Sequence, residues 1–361
     1  MRLKRFYTLF FLISFALSLE AQTVKFYELK KHQSGDYTYK DKLFTGKSIL
    51  NHANNRIWQE VMWENGKING LFKTFYETGV KELEIEYSKG KRNGTYKAWY
   101  PNGKPEEISH YSNGELHGLY QSYFQTGNPK KEATYVHGLE NGTVTLWFDN
   151  GNKQQVAEYK NGKPDGKVVS YTEDGKLRKD IEYKDGVREG KSIIYHSNGQ
   201  IGETGSYKNG YPDGKVLKFD SRGKKINQES YTEGKKDGTW ISYDFTGLKI
   251  EESNYKDNVL DGDYTSWVNG NIDYQGQYVN GKKEGPWIEK AAEPKTVCNG
   301  SYKNGERDGV WVFGMSKIYG KCQGSFVEGK KDGEWTYYDL KLKKIRTEKW
   351  EQGILIETKD R

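Results

Sequence analysis

Side chains able to do covalent or metal chemistry are few in this sequence, and they are scattered. The six histidines, His32, His52, His110, His117, His137 and His196, fall at no metal-ligand spacing and beside no recognisable nucleophile motif. His117 and His137 stand in positions that hold Asn, Asp, Glu or Lys elsewhere in the chain. Asp257, Asp261 and Asp263 form a local acidic cluster, but their spacing does not fit a calcium loop. Asn93-Gly-Thr95 and Asn141-Gly-Thr143 match the glycosylation acceptor pattern, yet both coincide with recurring turns. With no convergent set of acid, base and nucleophile, the chain is expected not to be an enzyme and to need neither cofactor nor metal.

Aromatic side chains offer a different chemistry, that of stacking. One row, Trp99, Tyr123, Trp147, Tyr171, Tyr195, Tyr243 and Trp267, recurs at multiples of 24 residues. Turned to solvent with a spacing of roughly 9.5 Å, such a row would suit alternate sugars of an extended glycan. Packed between neighbouring elements, it would instead hold the fold together.

The elements that position this row follow from an internal repeat. A glycine recurs at Gly66, Gly90, Gly114, Gly138, Gly162, Gly186, Gly210 and Gly234, then after Asn258 at Gly281, Gly305, Gly329 and Gly353. Asn tolerates the left-handed conformation best after Gly, so Asn258 keeps the turn. An aromatic residue stands three positions before each, from Trp63 to Trp350. A second glycine follows four positions later, preceded each time by Asn, Asp, Glu or His, and a third follows nine positions after that in most copies. Two turn signals per copy leave room for two short strands, so each copy reads as a β-hairpin. The expected fold is all-β: an elongated, single-layer antiparallel meander of about thirteen 24-residue hairpins, starting near residue 37. Strict alternation fails within the first strand of each copy, which predicts a bulge or a bend within the strand. No central core is expected, so stability must come from rings stacked on those of the next copy.

Cys298 and Cys322 occupy equivalent positions in adjacent copies. In a meander these lie two strands apart, roughly 9.5 Å, beyond the ~4.4–6.8 Å between Cα atoms that a disulfide spans. Both are therefore expected to be free thiols.

The segments Tyr159-Lys-Asn-Gly-Lys-Pro-Asp-Gly-Lys-Val-Val-Ser-Tyr171 and Tyr231 to Tyr243 resemble the MORN-type repeat, and more closely its bacterial variant in proteins described as YwqK-type antitoxins. The resemblance covers residues 37 to 353. It implies a protein-interaction module, and the antitoxin branch implies a toxin as partner. The chain departs from the standard pattern in placing an aromatic residue or Val, such as Trp240, where a second Gly is usual.

Composition agrees with a repeat scaffold. The chain has 361 residues, 34% apolar content, 42 Gly and 28 Tyr, too polar for one large core but too aromatic for disorder. Its net charge of +7 is spread among interspersed acids and bases, which argues against nucleic acid as a partner. Met1-Arg-Leu-Lys-Arg5, the apolar run Phe6 to Leu19 and Ala21 form a secretory signal pattern over residues 1–21, with cleavage expected after Ala21. No other segment could span a bilayer, so the mature chain is expected in the periplasm, on the outer surface or secreted. Residues 22–36 then read as an N-terminal cap, 37–284 as regular repeats, 285–353 as degenerate repeats and 354–361 as a tail. In the degenerate stretch Lys290 and Gly314 replace the row's aromatic, and Pro294, Ile318 and Leu342 stand at the middle glycine. The primary expectation is a protein-binding scaffold, and a glycan is the second candidate ligand.

Overall fold

A computed structural model describes residues 22–290, 297–314 and 320–361. Pro294, Ile318 and the signal-like segment 1–21 lie outside the described residues. The described residues are strands and turns with one short 3-10 turn, Phe26–Glu28, and no α-helix. Among the described residues no helix is long and apolar enough to cross a membrane.

The chain forms two compact units, residues 1–139 and 140–361. In each, successive strands pair antiparallel with their sequence neighbours, as the turn signals predict. In the first unit Lys91–Trp99 pairs with Pro105–Ser112, which pairs with Glu115–Tyr123. In the second, Lys163–Tyr171 pairs with Leu177–Lys184, which pairs with Val187–Tyr195.

The hairpin turns take the double left-handed form that the right-handed twist of the strands favours. Asn161 has φ 50° and Gly162 φ 76°, and Asp257-Asn258 keeps the same turn with φ 47° and 72°. The conserved spacing of the polar residue before the second glycine also has a cause. Its side chain accepts a hydrogen bond from the next copy's turn, as in Glu233 N–H to Asp213 Oδ1 at 3.0 Å and Asn304 N–H to Glu284 Oε2 at 2.8 Å. The expected irregularity is present, but the extra residue falls on the partner strand. Ser170 faces Lys179 while Tyr171 faces Leu177, which leaves Arg178 unmatched.

One face of each sheet carries the interior. In the second unit it is built from indoles, and Trp287, Trp311 and Trp335 are at most 1% exposed. Trp287 stands edge-on between Tyr278 and Tyr302, with ring centroids 5.2 and 5.8 Å apart. Trp311 is held likewise between Tyr302 and Phe326. Each indole N–H donates to a backbone carbonyl, Trp311 to Ser301 at 2.9 Å and Trp335 to Ser325 at 3.1 Å. A cation caps each ring: Lys236 over Trp240, Lys283 over Trp287, Arg307 over Trp311 and Lys331 over Trp335, at 4.1 to 4.4 Å.

Ring-on-ring stacking is only part of this interior. Small residues on the intervening strands make the room: Gly276, Gly300 and Gly324 under the three indoles, Ala157 opposite Val168, and Ile181 opposite Ser192. Large and small alternate so that volume is conserved across each pair. Local cores do exist. Cys298, Trp311, Phe326, Trp335 and Tyr337 form one in the second unit, and Val24, Phe44, Val61 and Trp63 form one in the first. The copies after Gly285, irregular in sequence, thus hold the largest of the fully buried side chains among the described residues. The N-terminal segment closes the first unit's sheet, with Thr23–Lys25 parallel to Gly46–Asn51 and a small three-stranded sheet over 30–43 beside it.

Candidate functional site

Because a strand's side chains alternate, the aromatic row and the interior belong to different faces. Tyr96 and Ala98 point inward, so Trp99 points outward, where Lys81 Nζ sits 5.0 Å from its ring. Lys225 Nζ covers Tyr243 in the same way at 5.7 Å. All seven members, Trp99, Tyr123, Trp147, Tyr171, Tyr195, Tyr243 and Trp267, are half-buried. None contacts another aromatic ring among the described residues. Tyr171 is the exception to the outward placement: beside the unmatched Arg178 it also reaches the interior side, bordering a hollow of about 410 Å³ with Val168, Ile181 and Tyr183. Trp267 borders an outer groove of about 540 Å³ with Glu252, Asp263, Thr265, Gln275 and Gln277. The row therefore lies at the strand ends as separate rings rather than as one platform.

The outer face carries two patterns that the search for reactive residues passed over. In the first unit a row of alternating charge runs strand to strand: Glu60 opposite Lys73, Lys73 opposite Glu84, Glu84 opposite Lys97. Glu84 accepts from Lys81 Nζ at 2.7 Å and lies 3.8 Å from Lys73 Nζ. Burial works to raise its carboxyl pKa, but the hydrogen bond and charge of Lys81, with the charges of Lys73 and Lys97, together hold it low. In the second unit the equivalent positions are mixed at first, Val156, Asp180 and Thr204, and then become an amide run, Gln228, Gln275, Asn299 and Gln323, interrupted by Glu252. Glu60, Glu84 and the amides stand at the third position before the signature aromatic, and Lys73 and Lys97 at the third after the second glycine, both slots repeating with the period of the copies. That spacing was the signal available in the sequence.

The histidines and acids serve the turns. His52 Nε2 lies 2.7 Å from the Phe75 carbonyl and His196 Nε2 2.8 Å from that of Phe219, contacts that Tyr76 and Tyr100 make through their hydroxyls elsewhere. His32 bonds Thr38, and His110 lies 3.1 Å from the Leu119 carbonyl. His117 and His137 meet edge to face at 5.5 Å, with Glu115 3.5 Å from His137. Asp257 pairs with Lys235, Asp261 accepts from the Asn280 N–H, and Asp263 accepts from Gln277 Nε2 at 2.8 Å. Among the described residues no three His, Cys, Asp or Glu side chains are grouped to hold a metal. Cys298 and Cys322 both face Phe313, from opposite sides, so one strand separates them. Burial raises both thiol pKa values.

Comparison with known proteins bears on the repeat. No curated protein matches the sequence. Among solved structures, the crystal structure of TcdB2-TccC3 aligns over 84% of this chain and 18% of its own, at 11% identity and a TM-score of 0.16. The Photorhabdus luminescens Tc holotoxin pore aligns over 92% of this chain and 17% of its own, at 11% identity and a TM-score of 0.18. The chain thus spans under a fifth of those chains, and likeness at this level carries nothing about function. The MORN repeat variant matches residues 68–89, 92–113, 116–137, 140–161, 164–185 and 188–209. Each match runs from the start of one hairpin's first strand to the left-handed turn that ends its second, so six consecutive hairpins from 68 to 209 match the MORN repeat variant in register with the fold.

Proposed function

We propose that this chain is an exported, non-catalytic repeat scaffold that binds another protein across its outer face. The observation that carries the reading is the difference between the two faces of the first unit: one holds packed rings and aliphatic side chains, while the other repeats the charged side chains Glu60, Lys73, Glu84 and Lys97, which stay partly exposed. Repeat arrays of this kind present extended surfaces in place of a pocket. In the first unit the alternating row Glu60, Lys73, Glu84 and Lys97 offers a partner a fixed charge register, which favours specificity and rapid association. The MORN match supports a binding role in general.

Two finer elements belong to the same proposal. The basic start, apolar run and Ala21 direct export, with the mature chain beginning at Gln22. The resemblance of Tyr159–Tyr171 and Tyr231–Tyr243 to antitoxin repeats makes the partner a toxin polypeptide, bound as an immunity protein binds. Capture from the envelope fraction with immobilised mature chain tests the reading. A protein partner retained reproducibly, and bound saturably when purified, is expected. Failure to retain any protein would overturn it.

A further inference from the structure

The second unit's outer face holds a feature that protein binding does not require. Two grooves, of about 540 and 530 Å³, adjoin and share Gln275 and Pro286. The first is lined by Glu252, Asp263, Trp267 and Gln277, the second by Ile288, Asn299, Val310 and Val312. Neither is lined by a Lys or Arg. We propose that this double groove binds an uncharged, extended polysaccharide, about one disaccharide per repeat.

Three observations converge on that ligand. Gln275 and Asn299 are equivalent residues two strands apart, so their amides recur at roughly 9.6 Å, close to the length of two sugars in an extended chain. Each amide both donates and accepts, which matches a hydroxyl's own capacity. The Lys249-paired Glu252 and the Gln277-bound Asp263 add carboxylates whose remaining acceptor positions can take hydroxyl hydrogen bonds of the stronger, charge-assisted kind. Between the polar rows lie Trp267, Pro286 and the exposed Ile288 and Val310, 37% and 62% accessible, an apolar strip against which the C–H faces of pyranose rings can pack. Lys249 Nζ pairs with Glu252 at 2.5 Å from outside the groove, and among the described lining residues there is no Lys or Arg, so phosphate-bearing and uronic-acid polymers meet the Asp263 carboxylate with no cationic lining to hold them. Glu252 and Val312 bound three successive repeats, so the occupant spans on the order of six sugars.

Calorimetric titration of the mature chain with β-linked glucose and β-linked N-acetylglucosamine oligomers of increasing length tests the proposal. Affinity for at least one series should rise with length up to about the hexamer and change little with salt. The double variant Gln275→Ala/Asn299→Ala should bind about tenfold or more weakly with an unchanged circular dichroism spectrum, because it removes surface amides without touching the buried indoles. Trp267→Ala should weaken binding separately. A first-unit variant, Lys73→Glu/Lys97→Glu, should bind sugar as the parent does, which separates this site from the protein-binding face. No saturable binding of either oligomer series would overturn the proposal. So would equal affinity in the Gln275/Asn299 variant, or occupation of the groove by a protein partner alone.

Discussion

The Trp311 indole lies on Gly300 so closely that a Cβ on the glycine would stand 2.2 Å from Trp311 Cδ2. Gly276 under Trp287 and Gly324 under Trp335 repeat the relationship. None of the three has a positive φ, so each glycine is there for the room it leaves.

Gly300→Ala should therefore destabilise the second unit by about 3 kcal/mol, a cost typical of overpacking a rigid core. Trp311→Val should lessen that cost, since Ala157 opposite Val168 shows the fold accepting this smaller pair. Chemical denaturation of the single and double variants measures it. A Gly300→Ala/Trp311→Val protein less stable than Gly300→Ala alone would contradict the packing described.

Glu289 is 7% exposed and accepts from Lys283 Nζ at 2.6 Å, Tyr302 Oη at 2.7 Å and Arg307 Nη2 at 3.0 Å. Burial acts to raise its pKa, and the three hydrogen bonds together outweigh that and hold it below the ordinary 4.5. Burial and the Glu289 hydrogen bond push the Tyr302 hydroxyl up to about 12. A carboxyl depressed in the folded state stabilises fully above 4.5 and loses that contribution as pH falls through its lower folded value. The second unit should lose stability in acid along this limb. Glu289→Ala should cost about 3 kcal/mol at neutral pH by leaving two cations without their anion. Melting curves from neutrality to well below pH 4.5 check both, and an unchanged acid limb in the variant would count against the assignment.

Leu342 takes the middle-turn position that glycine holds in most copies, with φ 63°, a side chain 58% exposed and its N–H bonded to the Asp339 carbonyl at 2.9 Å. Leu342→Gly should stabilise by about 0.5–1 kcal/mol by removing the left-handed penalty. A raised denaturation midpoint is expected, and a lowered one would show that the leucine earns its place through contacts.

Phe313 stands between Cys298 and Cys322 in the strand order. Non-reducing mass analysis of the folded chain should show two free thiols, slow to alkylate because burial raises both pKa values. A Cys298–Cys322 bond would contradict the register of three strands.

Much of this architecture was legible in the spacing of glycines, because left-handed turns admit few residues and recur at every copy. Asn258 and the polar residue before each second glycine were readable for the same reason. Which face each aromatic takes was not readable, because the unmatched residue, Arg178 in one copy, sits on the neighbouring strand and shifts the register there. The degenerate look of the copies after Gly285 misled for a related reason. Lys290, Gly314 and the lost middle glycines marked these copies as irregular, whereas Gly300 and Gly324, which no turn or motif signalled, are the spaces into which Trp311 and Trp335 fit. The amide row at Gln275 and Asn299 was hidden because amides carry no reactive signature, only a period.

Capture of a protein partner by the mature chain and by a charge-inverted form tests outer-face recognition most directly. The inverted form carries Glu60→Lys, Lys73→Glu, Glu84→Lys and Lys97→Glu, which keeps opposite charges facing across each strand pair while reversing the pattern shown to a partner. With folding verified by circular dichroism, the parent should retain its partner and the inverted form should lose it. Equal retention by both would contradict recognition through this face.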